Sequence, residues 1–150
     1  MGREKNLEFL EAIEKRRILP FAQGRKLVGK EIKAAKEDLK EAEDRHANRR
    51  YKYATVTAYY AAFHAGRALI YSRGYREKSH YYLIVALQSL FVEKGLLEVR
   101  LARGLHNAMI LREEADYHGE FSEDGAHEVI TLTKEFISAS ERILKKHEGK

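Results

Sequence analysis

The residues best suited to chemistry gather in one short stretch. Within RGLHNAMILREEADYHGEF, residues 103–121, Arg112, Asp116, Tyr117 and His118 fall inside seven consecutive positions. A guanidinium holds a phosphate through two parallel N–H donors. An imidazole gives and takes a proton near neutral pH. An RNA 2′-hydroxyl attacking its own phosphodiester asks for those two services and for no metal. Arg112 and Asp116 also stand four residues apart on one helical face, so a plain i,i+4 ion pair worth roughly 0.2–0.5 kcal/mol explains them as well. Cations near a helix C-terminus are common for electrostatic reasons. From these residues alone the catalytic and the structural reading both stand.

Other chemistries find less support. The chain has no Cys, so neither a disulfide framework nor a thiolate metal site is available. There is no glycine-rich phosphate loop, no His-Glu-x-x-His pair and no nucleophile elbow, and the seven histidines are dispersed. The expectation is a site without cofactor or metal. The net charge is only +5, but its distribution is uneven. Between Asp44 and Glu77 there is no acid, whereas Arg45, Arg49, Arg50, Lys52, Arg67, Arg73 and Arg76 all occur there, with tyrosines interleaved. Such a pattern suits phosphate and base contacts. It equally suits helix-end charges that snorkel into solvent.

The elements that must position these residues are helical. Tyr51–Gly74 is apolar, aromatic or small at almost every position, and it lacks the polar face of a surface helix, so it is expected to be a buried central helix. His64 and Arg67 interrupt it three residues apart and are expected to be satisfied inside the bundle. Before it, residues 25–47 read as an amphipathic helix with Leu27, Ile32, Ala35, Leu39 and Ala42 inward. After it, YREKSH reads as a connection, with Ser79 capping a helix over 82–93. Residues 96–117 form the next helix, and Ser122 caps a last one that runs to about Lys145.

The N-terminal segment, residues 1–22, reads as an accessory helix and turn, either laid on the bundle or a mobile arm. Its helix spans 6–17, with Leu7, Leu10 and Ile13 at three-residue spacing and Phe9 beside them. No strand or hairpin signal is present. The fold expected is all-α: an antiparallel up-and-down bundle of five long helices plus the short N-terminal one, with residues 23–150 as the main domain. The first 17 residues hold no continuous apolar run, which argues against a secretory signal, and no uncharged run reaches membrane-spanning length. A soluble cytoplasmic protein is expected.

Two runs, AYYAAFHAGRALIYSRGYREKSH at 58–80 and REEADYHGEFSEDGA at 112–126, together resemble a HEPN domain, most closely its stand-alone prokaryotic branch of small proteins. The resemblance implies an antiparallel helical bundle, usually a homodimer. Many members are metal-independent ribonucleases of toxin–antitoxin or defence systems, often partnered by a minimal nucleotidyltransferase. Their signature is an Arg followed, after four to six residues, by a His close to the dimer interface. Arg112, five intervening residues and His118 match that spacing. The resemblance thus makes Arg112 the phosphate holder and His118 the acid/base, with Asp116 and Tyr117 orienting or binding. His80 lies in the resembling Lys-Ser-His run and is a further RNA-facing candidate, with Arg73 and Arg76. The sequence departs from the pattern in one respect. The Tyr that a partner modifies in the best-attested toxins follows the His by two positions; here position 120 is Glu, and Tyr117 precedes His118.

Residues six apart on an uninterrupted helix point about 120° from each other. Arg112 and His118 therefore converge only if the helix ends near Tyr117, or across a dimer. Three functions follow: an RNA-cleaving or RNA-binding HEPN protein; a non-catalytic nucleotide-binding or adaptor module paired with a nucleotidyltransferase; and a purely structural helical dimer.

Overall fold

The computed structural model describes residues 2–148, with side chains for 7–146. The chain runs α1 (Gly2–Glu14), β1 (Ile18–Pro20), α2 (Gly24–Ala47), α3 (Tyr51–Ser72), β2 (Tyr75–Glu77), α4 (His80–Leu87), α5 (Val99–Tyr117) and α6 (Glu123–Glu148), with a π-helical turn at Gln88–Val92 continuing α4. The fold is an all-α bundle, as the periodicity predicts.

α3 is the element the others surround. Ala54, Ala58, Ala61, Ala62, Ala65 and Ala68 are fully buried, and their short side chains let α2, α5 and α6 pack closely around it. Gly66 serves the same end: a Cβ there would meet Leu83 and Leu87 at 3.3 Å. Tyr59 and Phe63 fill the larger spaces. One stripe of α3 escapes full burial. Tyr53, Val56, Thr57, Tyr60, His64 and Arg67 are half-buried or exposed and recur at helical spacing.

α6 presents Ala126, Val129, Ile130, Thr133, Phe136 and Ile137 to the core at i, i+3, i+4 spacing, and each is buried. Thr133 Oγ1 donates to the Ala58 carbonyl at 3.0 Å, which ties α6 to α3. The expected Ser122 cap is present, its hydroxyl oxygen accepting from the Gly125 N–H at 2.9 Å. Ser79 occupies the N-cap of α4 in extended conformation, but its hydroxyl makes no capping bond. Among the described residues no helix is long and apolar enough to cross a membrane.

Two readings of the N-terminal half are corrected. First, strands do form: β1 pairs antiparallel with β2 in the register Ile18↔Glu77, Leu19↔Arg76 and Pro20↔Tyr75. Three-residue strands are too short for alternation to appear, and Pro20 is tolerated because this sheet is all edge. Second, the inward face of α1 is set by Phe9 and Ala12, with Ile13 packed alongside, while Leu7 and Leu10 are 61% and 60% exposed. Phe9 wins because it meets the Tyr75 ring edge-on at 5.6 Å. α1 is thereby laid on the bundle beside α4.

Candidate functional site

α5 carries Leu101, Leu105, Ala108, Arg112 and Ala115 at alternating spacings of four and three, and all five are buried. Arg112 thus occupies a core position, 7% exposed. Its guanidinium carbon lies 5.4 Å from the ring centre of Tyr59 and 5.7 Å from those of Tyr60 and Tyr117. Three ring faces attract the cation but do not neutralise it. Its polar contacts are long. One Nη1 stands 3.5 Å from the Tyr117 hydroxyl and 3.9 Å from an Asp116 carboxylate oxygen. Nε is buried with no hydrogen-bond partner. Burial by itself would lower the Arg112 pKa, but the Tyr117 hydroxyl and the tyrosine surround outweigh it, so the group stays charged.

His80, the first residue of α4, joins this cluster from the other side. Its Nδ1 lies 2.6 Å from the Tyr59 hydroxyl, and its ring stacks on Phe63 with centroids 4.2 Å apart. Burial, then the charge of Arg112, pushes the His80 pKa below its ordinary value; Glu77 opposes, and Arg67 and Glu113 add smaller, opposite effects. Burial raises that of Tyr59. Near neutral pH both are uncharged, and the Tyr59 O–H donates to Nδ1, which places the imidazole proton on Nε2. An Arg112–Tyr59–His80 chain therefore links α5, α3 and α4.

A second polar network lies beside the first. Arg67 donates to one carboxylate oxygen of Glu77 from Nε at 3.1 Å and from Nη2 at 2.6 Å. His64 is held by Glu31 of α2 at 2.6 Å, with Asp38 at 3.7 Å. His64 and Arg67 are thus satisfied within the bundle, each by its own carboxylate.

Of the sequence-derived candidates, Arg112, Asp116, Tyr117 and His80 come together. His118 does not join them: among the described residues the hydrogen bond and ion pair of Arg112 go to Tyr117 and Asp116. His118 is the exposed C-cap of α5. The helix does end at Tyr117. Gly119 turns the chain at φ +64°, and the Glu120 N–H returns to the Glu114 carbonyl at 3.0 Å. Arg73 lies over the Phe91 ring at 4.8 Å. Arg76 points from the opposite face of β2 to Glu77, over Phe21 at 5.6 Å. Tyr59 and Tyr60 were legible in the sequence only as core filling. The signal for more was their adjacency on α3, which turns two ring faces toward one neighbouring helix. Among the described residues no three His, Asp or Glu side chains gather to hold a metal ion.

The chain is 30% identical over 115 residues to the "Putative toxin MJ0605" of Methanocaldococcus jannaschii, covering 76% of this chain and 86% of the relative. It is 31% identical over 99 residues to a "UPF0332 protein" of Archaeoglobus fulgidus, covering 65% and 78% respectively. The family model for the HEPN domain matches residues 29–143, from the second turn of α2 to near the end of α6 and including every residue of the cluster. The chain belongs to the HEPN-domain family.

Proposed function

We propose that this chain is an RNA-cleaving HEPN protein of a toxin–antitoxin or defence system, acting as a homodimer without a metal. One observation carries the reading. Arg112 is a permanently charged group kept in the interior and, among the described residues, it has no carboxylate closer than 3.9 Å and its Nε is unpartnered. Burying a charge without a close counter-ion is costly, and such a site is completed by an anion. A phosphodiester supplies one, and a guanidinium fits it bidentately. His118, on the rim one residue beyond Tyr117, is the proton-transfer group, reached by a substrate that has displaced the exposed Tyr117 or from a second protomer. Asp116 and Tyr117 orient Arg112, and His80 fixes Tyr59 beneath it.

The homodimer is supported by the outward faces of α4 and α5. Tyr81, Ile84, Val85 and Val99 line a mainly apolar groove of about 420 Å³, with Glu93 and Arg103 also on its wall. Ile110 and Tyr117 continue the exposed face of α5 toward the cluster. A second copy seated there brings the two Arg112 pockets to one interface. A cytoplasmic setting suits both an RNA substrate and a chain without cysteine.

The test is RNA cleavage in the presence of a chelator by wild type, Arg112→Ala and His118→Ala. Cleavage by wild type that falls on the order of a hundredfold or more in both variants supports the reading. Equal background from all three discards it. That no hydrogen bond joins Arg112 to His118 among the described residues favours a second reading, a nucleotide-binding or adaptor module paired with a minimal nucleotidyltransferase. Binding of that partner or of ATP by a chain that cleaves nothing would establish it.

A further inference from the structure

We propose that the corner between α2 and α3 is a second binding site, for single-stranded nucleic acid, two helical turns from Arg112. The inference rests on the RNA reading for the identity of the strand. Tyr53 is 49% exposed at this corner. The Arg45 and Arg50 guanidiniums lie 6.0 and 5.9 Å from its ring centre, and the Lys52 ammonium lies 5.5 Å away. Arg45 is anchored by Glu41 and Thr57, at 3.0 and 3.1 Å. Arg49, Arg50 and Lys52 form no ion pair among the described residues, so two unpaired cations, Arg50 and Lys52, stand at one accessible ring, with Arg49 next to them in the turn.

The backbone sets where these cations stand. Arg49 sits at φ +62°, where a glycine or asparagine would be less strained. The turn is fixed there by Arg49 N–H to the His46 carbonyl at 3.1 Å and Arg50 N–H to the Arg45 carbonyl at 2.8 Å. Arg16 closes α1 in the same way at φ +59°, so what this turn contributes is position: it holds Arg49 and Arg50 at the exposed tip.

The occupant follows from the pairing of ring and cations. Sequence-tolerant single-strand sites combine cations for phosphates with an aromatic face for a base. A carboxylate-rich protein surface would use the cations and leave the ring idle. The direction of the strand follows from α3. Tyr53 and Tyr60 are seven residues apart on the same half-exposed stripe, about 10.5 Å along the axis, with Val56 and Thr57 between them. Tyr60 is one of the three rings over Arg112. A strand stacked on Tyr53 is thereby led along α3 to the proposed phosphate holder.

Fluorescence anisotropy with a labelled oligodeoxythymidylate of about ten nucleotides, a length typical of such sites, tests the corner, since DNA lacks the 2′-hydroxyl and is not cut. Tyr53→Ala should weaken binding about tenfold or more, while Tyr53→Phe, which keeps the ring, stays near wild type. Arg50→Ala with Lys52→Ala should lower the slope of log affinity against log salt by about 1.4, or roughly 0.7 per lost phosphate contact. Wild-type affinity and slope in all these variants, or no binding by wild type, overturn the proposal; in the first case the cations are left to an acidic protein surface. The two proposals fail separately. Oligonucleotide binding lost in Tyr53→Ala, with RNA never cut by wild type, discards the nuclease and keeps the corner. Cleavage of long RNA that is lost in Arg112→Ala but unchanged in Tyr53→Ala, together with wild-type binding by Tyr53→Ala, keeps the nuclease and discards the corner.

Discussion

Two arginines reach from neighbouring helices into the same aromatic interior and are treated in opposite ways. Arg67 of α3 meets Glu77 through two donors, at 2.6 and 3.1 Å, and that carboxylate is itself buried. Arg112 of α5 leaves less of its side chain exposed, 8% against 27%, yet among the described residues its one carboxylate at ion-pair range is 3.9 Å away and belongs to an exposed aspartate. Both lie over aromatic rings, Arg67 over Phe63 at 4.5 Å and Arg112 over three tyrosines. The shared aromatic setting therefore does not explain the difference. A cation whose geometry is closed by a carboxylate serves the fold. On the reading proposed above, a cation left open in a cage takes its anion from a substrate.

The contrast breaks first if stability ignores it. Glu77→Gln leaves Arg67 charged and without its counter-ion, and breaking a largely buried pair from one side costs about 3 kcal/mol. Chemical denaturation should show that loss, while the double variant Arg67→Met with Glu77→Gln recovers part of it. Arg112→Met should behave the other way. It replaces an incompletely paired charge by an apolar chain of similar length, so stability should change by less than about 1 kcal/mol. Cleavage of RNA should fall on the order of a hundredfold, about 2.7 kcal/mol of transition-state stabilisation. An Arg112→Met protein that unfolds as readily as Glu77→Gln would show that both arginines are structural.

What the sequence disclosed follows the same division between local and distant order. The central helix was legible because seven alanine and glycine positions leave no polar face. The burial of Arg112 went unread, although Arg112 continues the Leu101, Leu105, Ala108 spacing into Ala115. Partners joined across long loops left no local trace. Tyr59 and His80 are 21 residues apart, and β1 and β2 pair across more than fifty. The face of α1 was ambiguous for another reason. Leu7, Leu10 and Ile13 and the set Phe9, Ala12 and Ile13 both fit helical spacing, and the Tyr75 ring, distant in sequence, decides between them.

The Tyr59–His80 bond sharpens the comparison from the Arg112 side. Tyr59→Phe removes a buried hydrogen bond and should cost about 1 kcal/mol by denaturation. It also bears on pH. The folded His80 pKa lies below its unfolded value of about 6.5, so the native state binds fewer protons. Stability contributed by neutral His80 is complete above that value and is lost as pH falls from about 6.5 through the folded pKa. His80→Asn should flatten this part of the curve of stability against pH. An unchanged curve would mean that His80 is not held neutral against Arg112.

The smallest effect is the most discriminating. Tyr117 is 70% exposed, and its hydroxyl meets Arg112 at 3.5 Å, the long limit of a hydrogen bond. Tyr117→Phe keeps the ring over the guanidinium and removes only that contact, so stability should move by no more than about 0.5 kcal/mol. The Glu77 carboxylate, at 2.6 Å, sets the scale for a cation that is firmly held. If Tyr117→Phe cost as much as Glu77→Gln, Arg112 would be closed by its own chain and the cage would have no vacancy for a phosphate. If it costs almost nothing, and RNA cleavage also stays within a few fold of wild type, Tyr117 is a loose cover and Arg112 alone holds the anion.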